Sequence, residues 1–205
     1  MPTATVPLPP RAVYTTEPVY RFSVEQWHEM IEQGTLKADD PVELIEGVPV
    51  FKMAKNPPHA VTTGLLGDTL LRLLGSGWHI RSQEPVTLTD GEPEPDLVIA
   101  RGRRVDYAAR HPGPSEVGLL VEVADSTLDR DRGPKLRSYA RAGVACYWIL
   151  NLIGRQIEVY TDPDSTATEP RYRRVDSFRP GDVVPLALDG RAVGSVRVND
   201  VLPPG

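Results

Sequence analysis

The chain has 205 residues, and 23 Lys and Arg against 28 Asp and Glu give a formal net charge of −5. That balance argues against a general basic coat for nucleic acid or membrane, while allowing a local basic surface. No stretch approaches the ~20 apolar residues of a membrane span, and the single cysteine, Cys146, removes an internal disulfide and every multi-cysteine zinc site.

The opening MPTATVPLPPRAVYTTEP lacks the basic start and continuous apolar run of a secretory signal. A cytoplasmic protein with a reduced, buried thiol is the expectation. Five of the 21 prolines fall in residues 1–18, and two more are Pro203 and Pro204. Residues 1–19 and 203–205 therefore read as extended tails, and 20–202 as one domain.

Ser23 and Gln26 form a capping-box pattern. Val24, Trp27, Met30 and Ile31 follow at helical spacing, with Gly34 as the stop. Two short strands are predicted at 42–47 and 49–53. A helix is predicted over about 58–74, with Thr62, Leu65, Leu66, Thr69, Leu70, Leu73 and Leu74 on one side. Strand-like pieces follow at 78–82, 85–88 and 96–100. VGLLVEVA (117–124) is nearly continuous apolar sequence, as expected for a strand covered on both faces. Asp131 is positioned to cap a helix of about 132–142 that Gly143 closes. ACYWIL (145–150) is the next buried strand, and 157–161 with 172–175 reads as a hairpin before a short β-rich tail. Strand, helix and strand across 117–150 predict a parallel crossover. Hairpins on both sides make this a mixed α/β sheet flanked by helices.

Glu122 is the anomaly within the apolar run. A carboxylate buried in a central strand costs several kcal/mol unless it is paired or binds a cation. A nearby Arg or Lys explains it as well as a metal does. Asp96 at the head of its strand is, alone, an ordinary turn residue. If the two strands are neighbours, however, Asp96, Glu122 and Lys135 converge at one end of the sheet. Two hard oxygen ligands with room for water suit Mg²⁺ or Mn²⁺ better than zinc. Such a cation polarises a phosphoryl oxygen, and a nearby Lys orients water or offsets developing charge. No phosphate loop, dinucleotide fingerprint, zinc-protease motif or nucleophile elbow is present, and Ser126 and Thr127 lack a relay.

The sequence resembles the Uma-type endonuclease family, within the restriction-endonuclease-like superfamily that carries the PD-(D/E)XK signature. The resemblance covers about residues 20–202 and rests on YRFSVEQWHEM, PVELIEGVPV, PPH, EPDLVIA and the long stretch LLVEVADSTLDRDRGPKLRSYARAGVACYWILNL. Pro95-Asp96 matches the PD element and Glu122 the central acid. The signature lysine would fall at Ala124; the resemblance places it instead at Lys135 on the following helix. It also points to Glu43 as a helper ligand and His59 as a phosphate or metal assistant. An exposed strand residue and a polar helix-start residue remain the plain alternatives for these two. Val48 stands where many relatives carry Glu.

The resemblance implies a restriction-endonuclease-like fold and a Mg²⁺-dependent enzyme (Mn²⁺ as substitute) that hydrolyses DNA phosphodiesters. Asp96, Glu122 and Glu43 would be the metal ligands, and Lys135 and His59 would complete the catalytic set. A symmetric homodimer is a natural way to meet two strands. Charge is uneven along the chain: residues 1–100 are net −7, 101–155 net +4 and 156–205 net −2. Among the clustered arginines, Arg103, Arg104 and Arg132 are the expected nucleic-acid contacts, with a solvated charged face as the alternative. A catalytically quiet binding or regulatory module and a hydrolase of small phosphate esters stand as rival readings.

Overall fold

The computed structural model of the protein describes residues 18–37 and 39–202, so most of both expected tails lies outside the described residues. Helix α1 (Val24–Glu32) begins at the anticipated capping box: the Ser23 side chain accepts the Gln26 N–H, and Gln26 reaches back to the Ser23 N–H. Val24 and Trp27 are its buried residues. Strands β1 (Val42–Ile45) and β2 (Val48–Phe51) pair as an antiparallel hairpin. Helix α2 (Pro57–Leu73) starts at the Asn56 cap, with prolines in its first two positions. It buries Thr62, Thr63, Leu66 and Leu70, whereas Leu65, expected inside, is 39% exposed.

The central sheet has six strands in the order β3-β4-β5-β6-β7-β8. They are β3 (Trp78–Arg81), β4 (Leu97–Arg101), β5 (Val117–Ala124), β6 (Cys146–Asn151), β7 (Gln156–Asp164) and β8 (Arg171–Phe178). Only β5 and β6 run parallel; the other neighbours are antiparallel. This is the mixed α/β architecture that the crossover and hairpin pattern implied. The tail adds an antiparallel hairpin, β9 (Val183–Leu188) with β10 (Arg191–Arg197), and the short helix α5 (Val198–Val201).

Two apolar layers sandwich the sheet. On one face Ile99, Leu119, Val121, Val123, Trp148 and Leu150 pack with Leu66 and Leu70 of α2, the β9–β10 hairpin and α5. On the other, Val98, Leu120, Tyr147, Ile149 and Tyr160 pack under Tyr139, Ala140 and Val144 and the loop residues Val86 and Leu88. Strand alternation then assigns the polar residues. Asp96, Glu122 and Glu158 all have the parity of the second face. The burial pattern matches: Glu122 and Glu158 are 4% and 2% exposed, inside strands that are otherwise apolar.

Two sequence expectations change. Residues 85–88 form no strand. Their backbone bonds are single loop contacts, from Val86 N–H to Pro93, Leu88 N–H to Gly91 and Thr87 N–H to Pro112, in a segment that Pro85, Pro93 and Pro95 deprive of donors. The expected helix over 132–142 begins earlier and is broken. A short α3 (Leu128–Arg130) runs into a π turn at Asp131–Lys135, and α4 (Leu136–Arg141) follows. Pro134 has no N–H to continue an α-helical ladder, and Gly133 takes φ −106°, ψ −106° to absorb the kink. Asp131 is therefore not an N-cap. It is 2% exposed, inside the π turn, and accepts the Thr127 hydroxyl at 2.6 Å. Gly143 does close the segment, at φ +76°, a conformation that favours glycine.

Candidate active site

The β4–β5 register brings the two key acids together. Leu97 pairs with Val121 in an antiparallel ladder, so Asp96 before β4 lies one step along, beside Glu122 near the end of β5. Asp96 Oδ2 accepts the Val123 N–H at 2.8 Å and the His59 Nε2–H at 3.0 Å. A carboxylate can only accept, so Nε2 carries the proton in that contact. His59 sits on the first turn of α2, where its own N–H is held by the Asn56 side chain at 3.0 Å.

Glu122 Oε1 takes two donors, Lys135 Nζ at 2.9 Å and the Tyr139 hydroxyl at 2.8 Å. Lys135 Nζ also lies 3.4 Å from Glu43 Oε2. Glu43, on β1, is 4% exposed and accepts the Glu94 N–H at 3.0 Å. Arg130 Nη1 stands 3.5 Å from Glu43 Oε1 and donates to the Phe51 carbonyl at 2.9 Å. Glu46 is elsewhere: it pairs with Arg137 and Arg141.

Burial pushes the Glu122 pKa well above the usual carboxylate range. Lys135 opposes that shift, while Asp131, Asp96 and Glu43 add to it. Burial works against the charged form of Lys135, but Glu122, Glu43 and Asp131 outweigh it and hold its pKa above the ordinary lysine value. Both partners thus grip protons more tightly than in water. The cause is shared: several carboxylates surround one buried ammonium, and the site is short of positive charge.

These side chains open onto a cavity of about 420 Å³ whose wall includes Glu43, His59, Asp96, Glu122, Asp131 and Lys135. Gln83, Lys52, Lys55, Asn56, Asp125 and Arg130 also line it. The three arginines expected to contact nucleic acid are not on that wall. Arg103 pairs with Asp106, Arg104 with Glu84 and Arg132 with Glu158.

Glu158 explains the position of Arg132. It accepts from Arg132 at 2.9 and 2.5 Å, from Asn151 and Gln156, and from the Tyr160 hydroxyl at 2.7 Å. Burial opposes ionisation, but these donors prevail and hold its pKa down to about 2. The stabilisation is therefore present above the ordinary carboxylate pKa and is lost as pH falls through about 2. Glu158→Gln should weaken the fold at neutral pH by about 1–2 kcal/mol, allowing for solvent screening at Arg132. It should also flatten the acid limb of a stability-versus-pH curve followed by urea unfolding. An unchanged acid limb would contradict the pairing.

Could this set hold a divalent cation? Among the described residues no three or more His, Cys, Asp or Glu side chains form a preassembled metal cage. A Mg²⁺-type site does not require one, since it uses one or two carboxylates with water and substrate phosphate as the remaining ligands. The donor set fits that chemistry. Hydrogen bonds to Asp96 land on Oδ2 and those to Glu122 on Oε1, so each retains an oxygen that no described donor occupies. The deficit of positive charge points the same way.

Tyr139, fully buried with its hydroxyl on Glu122, is a site residue that the sequence did not single out. The available signal was its i,i+4 spacing from Lys135, which sets two polar groups on one helical face. Lys52 and Lys55, just before Pro57-Pro58, carried no signal beyond their charge.

Comparison with known proteins agrees with this architecture. A family model described as "Uma2: Putative restriction endonuclease" matches residues 24–193. No curated protein matches. A crystal structure of "a putative nuclease belonging to DUF820 from Anabaena variabilis" is similar, with a TM-score of 0.60 and 13% sequence identity, covering 83% of this chain and 94% of that one. At that identity the likeness speaks to fold alone, which it shares. The family match spans most of the chain and contains Asp96, Glu122 and Lys135, and the chain belongs to the Uma2 family.

Proposed function

We propose that the chain is a divalent-metal-dependent endonuclease that hydrolyses DNA phosphodiester bonds. One observation carries the reading: Glu122 and Glu43 hold the Lys135 ammonium, Asp96 lies beside Glu122 across the β4–β5 register, and all four line one cavity. The family description supports the nuclease class.

Asp96 and Glu122 would hold Mg²⁺, with Mn²⁺ as a substitute and Glu43 as a helper. When bound, such a cation polarises a phosphoryl oxygen and acidifies water. The chain's own residues do the rest. His59 and the Val123 N–H fix the Asp96 carboxylate, and Tyr139 fixes Glu122. Lys135 stands beside Glu122 and would orient water or offset charge developing on the phosphoryl group. A buried ammonium pre-set in this way needs no reorganisation during reaction. A second copy of the chain would supply the cut in the opposite strand.

The test is supercoiled plasmid with purified protein under Mg²⁺ titration. We expect nicked and linear products that depend on Mg²⁺ or Mn²⁺ and disappear with a chelator. Background nicking at every metal concentration would overturn the DNA nuclease reading. Turnover of a small phosphodiester such as bis(p-nitrophenyl) phosphate without plasmid cleavage would favour the small-ester hydrolase.

A further inference from the structure

We propose that the nucleic-acid backbone is gripped by Lys52 and Lys55, on the loop between β2 and α2, with Arg130 beside them. The inference rests on the nuclease reading above and names the surface that would hold the strand.

The argument begins at the N-terminus of α2, a 17-residue helix whose cap Asn56 lines the cavity. A helix start ordinarily offers free N–H groups to a phosphate. Here it does not. Pro57 and Pro58 have no N–H. The His59 N–H is taken by Asn56 Oδ1 and the Ala60 N–H by the Asn56 carbonyl. The positive end of the helix faces the site without main-chain donors, so an anion there must be held by side chains.

The same loop supplies them. Lys55 lines the cavity, is exposed, and has no ion-pair partner among the described residues. Lys52 also lines it, anchored to Glu94 at 2.5 Å. Arg130 bonds the Phe51 carbonyl, next to Lys52, and so joins the same rim. Two rim carboxylates oppose anion binding: Lys52 offsets the charge of Glu94, while Asp125 is held by the neutral Asn56 amide and keeps its charge. Lys55 is left without an ion pair among the described residues, on the same cavity wall as Asp96 and Glu122. Arg103, Arg104 and Arg132 differ from Lys55 on both counts, since each is paired with a carboxylate and none lines the cavity.

The experiment is fluorescence anisotropy of a labelled DNA of about 20 nucleotides, single-stranded and duplex, over about 50–200 mM salt, with Ca²⁺ in place of Mg²⁺ to slow cleavage. Lys52→Ala with Lys55→Ala should weaken binding by about tenfold and lower the salt slope by roughly 1–2. Lys55→Arg should retain wild-type affinity. Arg103→Ala with Arg104→Ala should change affinity less than about twofold, as expected for charges already paired. Thermal melting checks that the loop variants keep the fold. The proposal is overturned if the double-lysine variant binds with wild-type affinity and slope, or if the double-arginine variant loses as much. DNA binding by the wild type with insensitive lysines overturns only this assignment; absence of wild-type binding and cleavage overturns the nuclease reading with it.

Discussion

Glu122→Gln is expected to reduce DNA cleavage by on the order of 10³-fold or more while leaving the fold within about 1 kcal/mol of wild type. The two halves of this expectation have one origin. Burial and three neighbouring carboxylates favour the neutral form of Glu122. Glutamine copies the size of that form and still accepts from Tyr139 and Lys135 through its carbonyl oxygen. Lys135 retains Glu43 as a carboxylate neighbour. What glutamine lacks is the charge that draws a divalent cation. Single-turnover cleavage beside thermal melting of the same preparation is the check. Cleavage within about tenfold of wild type would remove Glu122 from the chemistry, because losing one charge-stabilising group ordinarily costs 10²–10³. Loss of the fold would make its role structural.

Lys135→Met carries the second large effect, and here stability and activity should fall together. Lys135 is 5% exposed, and its ammonium is the cation shared by Glu122 and Glu43. Removing one side of a buried ion pair costs about 3–5 kcal/mol, because the other side stays buried and uncompensated. Cleavage should drop by about 10²–10³-fold, the usual cost of losing a positioned charge in a transition state. The stability loss should depend on pH. Without Lys135 the folded-state pKa of Glu122, already raised, moves further up. A carboxylate with a raised folded pKa contributes stability that is complete below the unfolded value and lost as pH rises through the folded one. The variant should therefore approach wild-type stability near pH 4 and fall behind it towards neutrality. Urea unfolding at several pH values measures this. A pH-independent loss would mean that packing of the lysine stem, and not its charge, is what the site uses.

The sequence exposes some of this architecture better than the rest. Glu122 is legible because an acid within eight residues of apolar strand has few stable alternatives to pairing or cation binding. Asp96 becomes legible only with the strand order, since an Asp before a strand is ordinary turn chemistry until an antiparallel neighbour places it beside Glu122. The helix after β5 is misread for a definite reason. Asp131 followed by a helical pattern carries the usual N-cap signal, but Pro134 three residues on blocks a regular ladder, and the chain forms a π turn instead. That turn carries Lys135 in its last position, with Tyr139 four residues on, both against Glu122. The arginines are the least legible part. A charge cluster does not name its partner, and two of the three partners come from distant sequence, Glu158 for Arg132 and Glu84 for Arg104, while Arg103 pairs locally with Asp106. The net positive stretch over 101–155 is therefore largely consumed within the fold. The unpaired Lys55 at the cavity comes from the acidic first hundred residues.

The central claim is that Asp96 and Glu122 form a divalent-cation centre beneath Lys135. Calorimetric titration of Mn²⁺ into the wild type, Asp96→Asn and Glu122→Gln tests it without requiring turnover. The account predicts saturable binding to the wild type, tighter as pH rises because protons compete for Glu122, and at least tenfold weaker in each variant, as for loss of one ligand. Equal Mn²⁺ binding by all three proteins would contradict it.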